Sequence, residues 1–204
     1  MNCMFSKIFL FLGIMISTNC FCQNKQSTEI TNVTKATFFN PGISYEKRIA
    51  KFQSLYAQLF MNTSFAIGFS DALGTTSYIH FDPAVSLQYR YYYNFKRRED
   101  KGKRTAMNSL NYLAGIVETT FSKGSISSAY VTEKDPRAIN VFCIAWGLQR
   151  NYPKRFSLDI NFGAGYLYTR VTTINDTGEL ITKNAGQFTT VAQVNLGFWL
   201  NKRN

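Results

Sequence analysis

The chain has 204 residues, room for one domain and a leader, with 45% apolar residues and a mean hydropathy of −0.16. That balance excludes a helical membrane protein, because each helical span needs about 20 consecutive apolar residues. The net charge is +11, yet the basic residues gather on no helix or nucleic-acid motif, so nucleic acid is not an expected partner.

Aromatic residues are abundant, with 12 Tyr and 18 Phe, and Pro is scarce at 4. Many aromatics at modest mean hydropathy suggest many strands, each with one greasy face.

The chain opens as an export signal. Lys7 is the only charge before Lys25, and the apolar run 8–16 is too short to span a bilayer. Small residues at Cys20 and Cys22 suit a signal peptidase, placing cleavage after Cys22 and the mature start at Gln23. A lipoprotein leader fits poorly, because Asn19 and Phe21 stand where a small residue should precede the modified Cys. Cys3, Cys20 and Cys22 leave with the leader, and Cys143 alone cannot form an internal disulfide. Inside an apolar strand with no His nearby, Cys143 reads as a small buried side chain. Removing Lys7 lowers the charge to +10. The expected division is a signal peptide over 1–22, an N-terminal segment without clear pattern over 23–35, and a barrel over 36–204.

Beyond the leader the signal is alternation, which marks strands with two different surroundings. Ile43 and Tyr45 alternate with Ser44, Glu46 and Arg48. Leu55, Leu59, Met61, Phe65, Ile67 and Phe69 share one face of 53–69. Val85, Leu87, Tyr89, Tyr91, Tyr93 and Phe95 alternate with Ser86, Gln88, Arg90, Tyr92 and Asn94. Either face of 109–121 could point outward. A further strand covers 142–149. In 156–168, Leu158, Ile160 and Phe162 should meet lipid while Ser157, Asp159 and Asn161 face a lumen. Val194, Leu196 and Phe198 alternate with Gln193, Asn195, Gly197 and Trp199.

These strands run about 10 to 16 residues, where a globular strand averages about five or six. A tilted transmembrane strand needs roughly nine to eleven. Seven strands are visible. Bacterial single-chain barrels have even numbers, which implies an eighth, ascending strand within 28–39. Long polar stretches near 70–82, 122–138 and 171–186 should be outer loops. The turns at 50–51, 96–107 and 151–154 should be periplasmic. The expected fold class is all-β, an eight-stranded antiparallel up-and-down transmembrane β-barrel in the outer membrane of a Gram-negative-type bacterium.

The leader, the alternating strands, the stretch from Leu87 to Arg98, the turn Lys101-Gly102-Lys103 and Trp146-Gly147-Leu148-Gln149-Arg150 resemble a group of uncharacterised bacterial outer-membrane β-barrel proteins. At the level of architecture the chain is similar to OmpA- and OmpX-type small barrels. Phe198-Trp199-Leu200 is similar to the aromatic-ended last strand read by barrel assembly machinery, although four polar residues follow it. The resemblance implies a fold, a location and that machinery as a partner, and no activity.

Candidate chemistry is sparse. The single His, His80, stands near Ser77 and Asp82 in an expected outer loop, and spacing on a loop does not make the triad a lipid-modifying hydrolase needs. No His/Cys/Asp group has metal spacing, so no catalytic residue, cofactor or metal is expected. Gly163-Ala164-Gly165 lies within a strand instead of opening a helix, and is no nucleotide fingerprint. Its glycines should make room for larger lumen neighbours.

Three features carry a role instead. Tyr89, Tyr91, Tyr93 and Phe95 form an aromatic girdle at one strand end. Lys96, Arg97, Arg98, Lys101, Lys103 and Arg104 form a basic periplasmic turn, either simply solvated or touching anionic headgroups or wall-linked polymers. Glu46, Arg48, Arg90 and Asp159 point inward near the periplasmic turns and can neutralise one another as an ionic plug. The expected function is a non-enzymatic structural or surface-binding scaffold, monomeric, with outer-membrane lipid and an unknown surface ligand as partners. A narrow pore, a lipid-modifying enzyme and a soluble periplasmic lipocalin-like ligand-binding barrel are the alternatives. The last would turn the apolar face inward.

Overall fold

The computed structural model describes residues 29–70, 74–123 and 135–201, with backbone alone for 64–70, 74–78 and 80. The leader over 1–22 and the start at Gln23 lie outside the described residues. Among those described, eight antiparallel strands form one sheet: β1 (Val33–Phe39), β2 (Gly42–Ala50), β3 (Gln53–Ser70), β4 (Gly74–Tyr91), β5 (Asn111–Ser122), β6 (Arg137–Asn151), β7 (Phe156–Ile174) and β8 (Leu180–Trp199). Each strand pairs with its chain neighbours, and β1 pairs with β8, so the sheet closes into a ring. β1 is the strand inferred within 28–39, and it opens ahead of the boundary expected at 36.

Alternation sorts the two faces of this ring. Ile43, Leu55, Leu59, Leu87, Ile144 and Phe162 stand exposed on the outside, Ile144 at 75%. Ser44, Glu46, Ser54, Gln58, Ser86 and Gln88 are buried inside. The segment that could face either way resolves as β5, with Leu113, Val117 and Phe121 outward and Tyr112, Ala114 and Ile116 inward. Those three pack with Cys143 and Ala145 of β6, making the apolar part of the interior.

β1 and β2 are short because their hairpin turns early, at Asn40 and Pro41. Asn40 takes the left-handed backbone, φ +51°, which Asn tolerates better than most side chains. Its side chain joins the flanking strands: Oδ1 accepts from Thr63 N of β3, and Nδ2 donates to Val194 O of β8, both at 3.2 Å. β8 pairs with β1 only over Leu196–Trp199.

The expected outer loops are largely strand, and this corrects the reading of 70–82 and 171–186. β3 and β4 pair out to Ser70 and Gly74, and β7 and β8 out to Ile174 and Leu180. These stretches leave the ring as two-stranded ribbons. β4 meets β5 only from Ala84, just past Pro83, which has no N–H to donate. β7 meets β6 only up to Tyr168. A ribbon outside the ring can carry polar residues on both faces, so a polar stretch need not be a loop. Of the third expected loop, 124–134 lies outside the described residues.

The opposite end, the base, is closed. Between β4 and β5 the chain forms a short helix, α1 (Phe95–Asp100), and a 3-10 turn over Ala106–Asn108. Phe95, Ile30, Leu110 and Tyr92 pack into one buried cluster with Phe52 beside it. Residues 29–32 are bound across this end: Asn108 exchanges side-chain hydrogen bonds with Thr31 N and O at 2.7 and 2.8 Å. Asn201, after β8, bonds Thr34 N and Asn32 O in the same manner.

Candidate functional site

Four ionisable side chains meet in the lower interior. Arg90 of β4 donates from Nη1 to Asp159 Oδ2 of β7 at 2.9 Å and to Gln149 Oε1 of β6 at 2.7 Å. Lys35 Nζ of β1 lies 3.5 Å from the same Asp159 oxygen. Tyr112 OH donates to Asp159 Oδ1 at 2.7 Å. Glu46 of β2 accepts from Ser54 Oγ at 2.6 Å, from Gln149 Nε2 at 3.2 Å and from Tyr92 OH. Gln149 therefore links the two halves, accepting from the base and donating to the acid.

The Arg90 guanidinium also lies between two rings, 3.8 Å from the centroid of Tyr56 and 4.3 Å from that of Tyr112. Cations are attracted to aromatic faces, the more so when desolvated. Space for Tyr112 comes from Gly147 across the β5–β6 pair, where a Cβ would fall on the Tyr112 ring. The glycines at 163 and 165 answer a different need. A Cβ there would meet the backbone of β6 at 142–145, so close strand approach explains them in place of large lumen neighbours.

The expected cluster is thus brought together in three of its four members. Glu46, Arg90 and Asp159 converge, whereas Arg48 stands exposed at the base and pairs with Glu29. The pairing of β2 with β3 shifts between Arg48 and Ala50, and this irregularity at the rim ends the inward alternation. Lys35 takes the fourth place, keeping two acids against two bases. It was missed because β1 is short and its alternation weak. Its own signal was a Lys between Val33 and Thr37 in a segment inferred to be strand.

Of the four aromatic residues grouped at one strand end, three share a face. Tyr89, Tyr91 and Tyr93 face outward, and Tyr93 OH accepts from Trp146 Nε1 at 2.7 Å. Phe95 does not belong with them. The strand ends at Tyr91, α1 begins at Phe95, and the change of period turns that ring into the base, 2% exposed.

The basic turn is built around α1. Arg98 donates from Nε and Nη2 to Arg104 O at 3.3 and 3.0 Å, and Arg104 Nε donates to Asn151 O at 2.8 Å. Burial pushes the Arg98 guanidinium below its ordinary pKa. Arg97, Arg98, Lys101 and Lys103 line a notch of about 220 Å³ with Tyr93 and Arg150 of β6. Lys96 is exposed and, like Arg104, does not line it.

At the ribbon end a cleft of about 470 Å³ opens between β6, β7 and β8, with Arg137, Asn140, Tyr168 and Arg170 on its walls. His80 lies in β4 opposite Ser64, and side chains of His80 and Ser77 are outside the described residues. Among the described residues no group of three His, Cys, Asp or Glu could hold a metal ion. Cys143 is buried and unpaired. No family model, curated protein or solved structure matches the chain.

Proposed function

We propose that this chain is an exported outer-membrane β-barrel, a closed, non-enzymatic scaffold whose ribbon end serves as a binding surface. The observation that carries this reading is sidedness. Large apolar side chains cover the outside of the ring, and polar and charged ones fill much of its inside. A soluble ligand-binding barrel has the opposite arrangement, whereas a lipid-facing barrel has an apolar band and a polar interior.

Two further features support it. β7 and β8 have 19 and 20 residues, and a membrane crossing uses roughly nine to eleven, so the ribbons would rise well clear of the lipid. The Lys35–Glu46–Arg90–Asp159 network and the packed base leave little for solutes to pass through. A narrow eight-stranded interior filled by side chains suits a scaffold better than a channel. On this reading the base lies on the periplasmic side and the ribbons and cleft outside, in keeping with short inner turns and long outer connections.

Membrane fractionation with heat-modifiable gel mobility tests the location, and planar-bilayer recording tests closure. The expected results are recovery with the outer membrane, a mobility shift on heating, and near-silence in the bilayer. Recovery in the soluble periplasm overturns the location. Large, steady channels from the unmutated protein overturn the closed scaffold.

A further inference from the structure

The notch beside α1 has a composition the scaffold reading does not use. Five cationic side chains line it, Arg97, Arg98, Lys101 and Lys103 from the turn and Arg150 from β6, and the turn's own acids, Glu99 and Asp100, do not. Among the described residues Arg97, Arg98, Lys101 and Arg150 make no ion pair. Arg98 and Arg150 are near enough to repel one another. Both are nevertheless held in place, Arg98 by Arg104 O and Arg150 by Asn111 Oδ1 at 2.7 Å and Gln149 O at 2.6 Å. Like charges fixed together with no acid among them are a preformed site for an anion, and guanidinium forks match phosphate oxygens in particular.

The height and facing of the notch select the source of that phosphate. Tyr93 forms part of its wall and is hydrogen-bonded to Trp146, and both rings face outward. Tyr and Trp concentrate at the level of lipid headgroups. Tyr91 and Tyr89 continue along the same outer face above it. A phosphate held in the notch would thus have its acyl chains running along the apolar wall.

We propose that this notch binds the headgroup phosphate of an anionic phospholipid of the periplasmic leaflet. The proposal rests on the membrane reading, and the basic turn becomes a lipid clamp that sets the depth of the barrel base.

The test uses native mass spectrometry of the full chain folded in neutral detergent, with dioleoyl phosphatidylglycerol or dioleoyl phosphatidylcholine added. The expected result is one phosphatidylglycerol retained about tenfold more than phosphatidylcholine, falling about tenfold in the Arg97→Gln/Lys101→Gln protein. Those two side chains are exposed, and the double variant should keep its heat-modifiable mobility. Arg150→Gln, changed at the strand end, should lose the lipid as well. Equal retention of the two lipids, or undiminished phosphatidylglycerol in the folded double variant, overturns the clamp and leaves the membrane reading standing. Complete displacement by millimolar inorganic phosphate overturns the lipid source in favour of a free anion. A chain that shows no mobility shift and never enters vesicles overturns the membrane reading, and the clamp with it.

Discussion

Arg90 and Asp159 face each other across the interior, from β4 and β7, with Nη1 and Oδ2 2.9 Å apart. The strands that carry them are not neighbours in the ring, so the pair ties opposite walls together. Breaking a buried ion pair by removing one partner typically costs about 3–5 kcal/mol, because the other charge is left behind. Arg90→Ala should fall in that range by urea unfolding from vesicles. Arg90→Met with Asp159→Leu should cost less than the two single changes together, since neither member of the pair is then left without the other. Strict additivity would show that the two charges do not act on each other.

Gly147 should tolerate no side chain while Tyr112 stays in place, because a Cβ there falls on the Tyr112 ring. Overpacking of this kind costs about 1–3 kcal/mol. Gly147→Ala should be destabilised accordingly in a denaturant titration, and Tyr112→Val should make the same alanine nearly neutral. An alanine cost that is identical in both backgrounds would rule out the contact.

Asn40 should act as a clasp between β3 and β8. Asn40→Ala loses both 3.2 Å bonds and retains the left-handed backbone at a cost of roughly 1–2 kcal/mol. Amide exchange at Thr63 should quicken while exchange at the centre of β6 is unchanged. Unaltered Thr63 protection would mean the clasp is unnecessary.

The two tryptophans should report opposite environments. Trp146 is outward and 42% exposed, whereas Trp199 is 2% exposed and donates from Nε1 to Tyr152 O. Brominated lipids should quench Trp146 emission strongly in a Trp199→Phe protein and leave Trp199 emission nearly intact in a Trp146→Phe protein. Equal quenching of the two would contradict the sidedness of the wall.

Ile144 should separate a lipid-facing wall from a wetted one. At 75% exposure an Arg there would change the stability of a soluble ring by about 0.5 kcal/mol or less. Near the midplane of a bilayer the same change costs about 2–4 kcal/mol. Urea titration of Ile144→Arg in vesicles reads the difference directly, and a near-zero cost would count against embedding.

The candidate sites were legible in unequal measure. Glu46, Arg90 and Asp159 could be placed inward because each lies in a strand whose alternation is unbroken on both sides. Arg48 and Phe95 could not, since each sits where a regular element ends and period-2 counting no longer says which way a side chain points. Arg150 lay just past the strand read over 142–149, and nothing in its neighbourhood announced that it would complete a notch with residues some fifty positions earlier.

By itself the sequence determined seven of the eight strands and which residues of most strands share a face, among them Glu46, Arg90 and Asp159 on the polar side. Those follow from a local rule, because successive side chains of a strand point to opposite faces whatever the chain does elsewhere. Only the tertiary structure decided which charges meet, that Lys35 stands where Arg48 was expected, and that polar stretches continue as ribbons. Each of these depends on the register between strands and on closure of β1 against β8, and register is a relation between distant segments that no window of the chain contains.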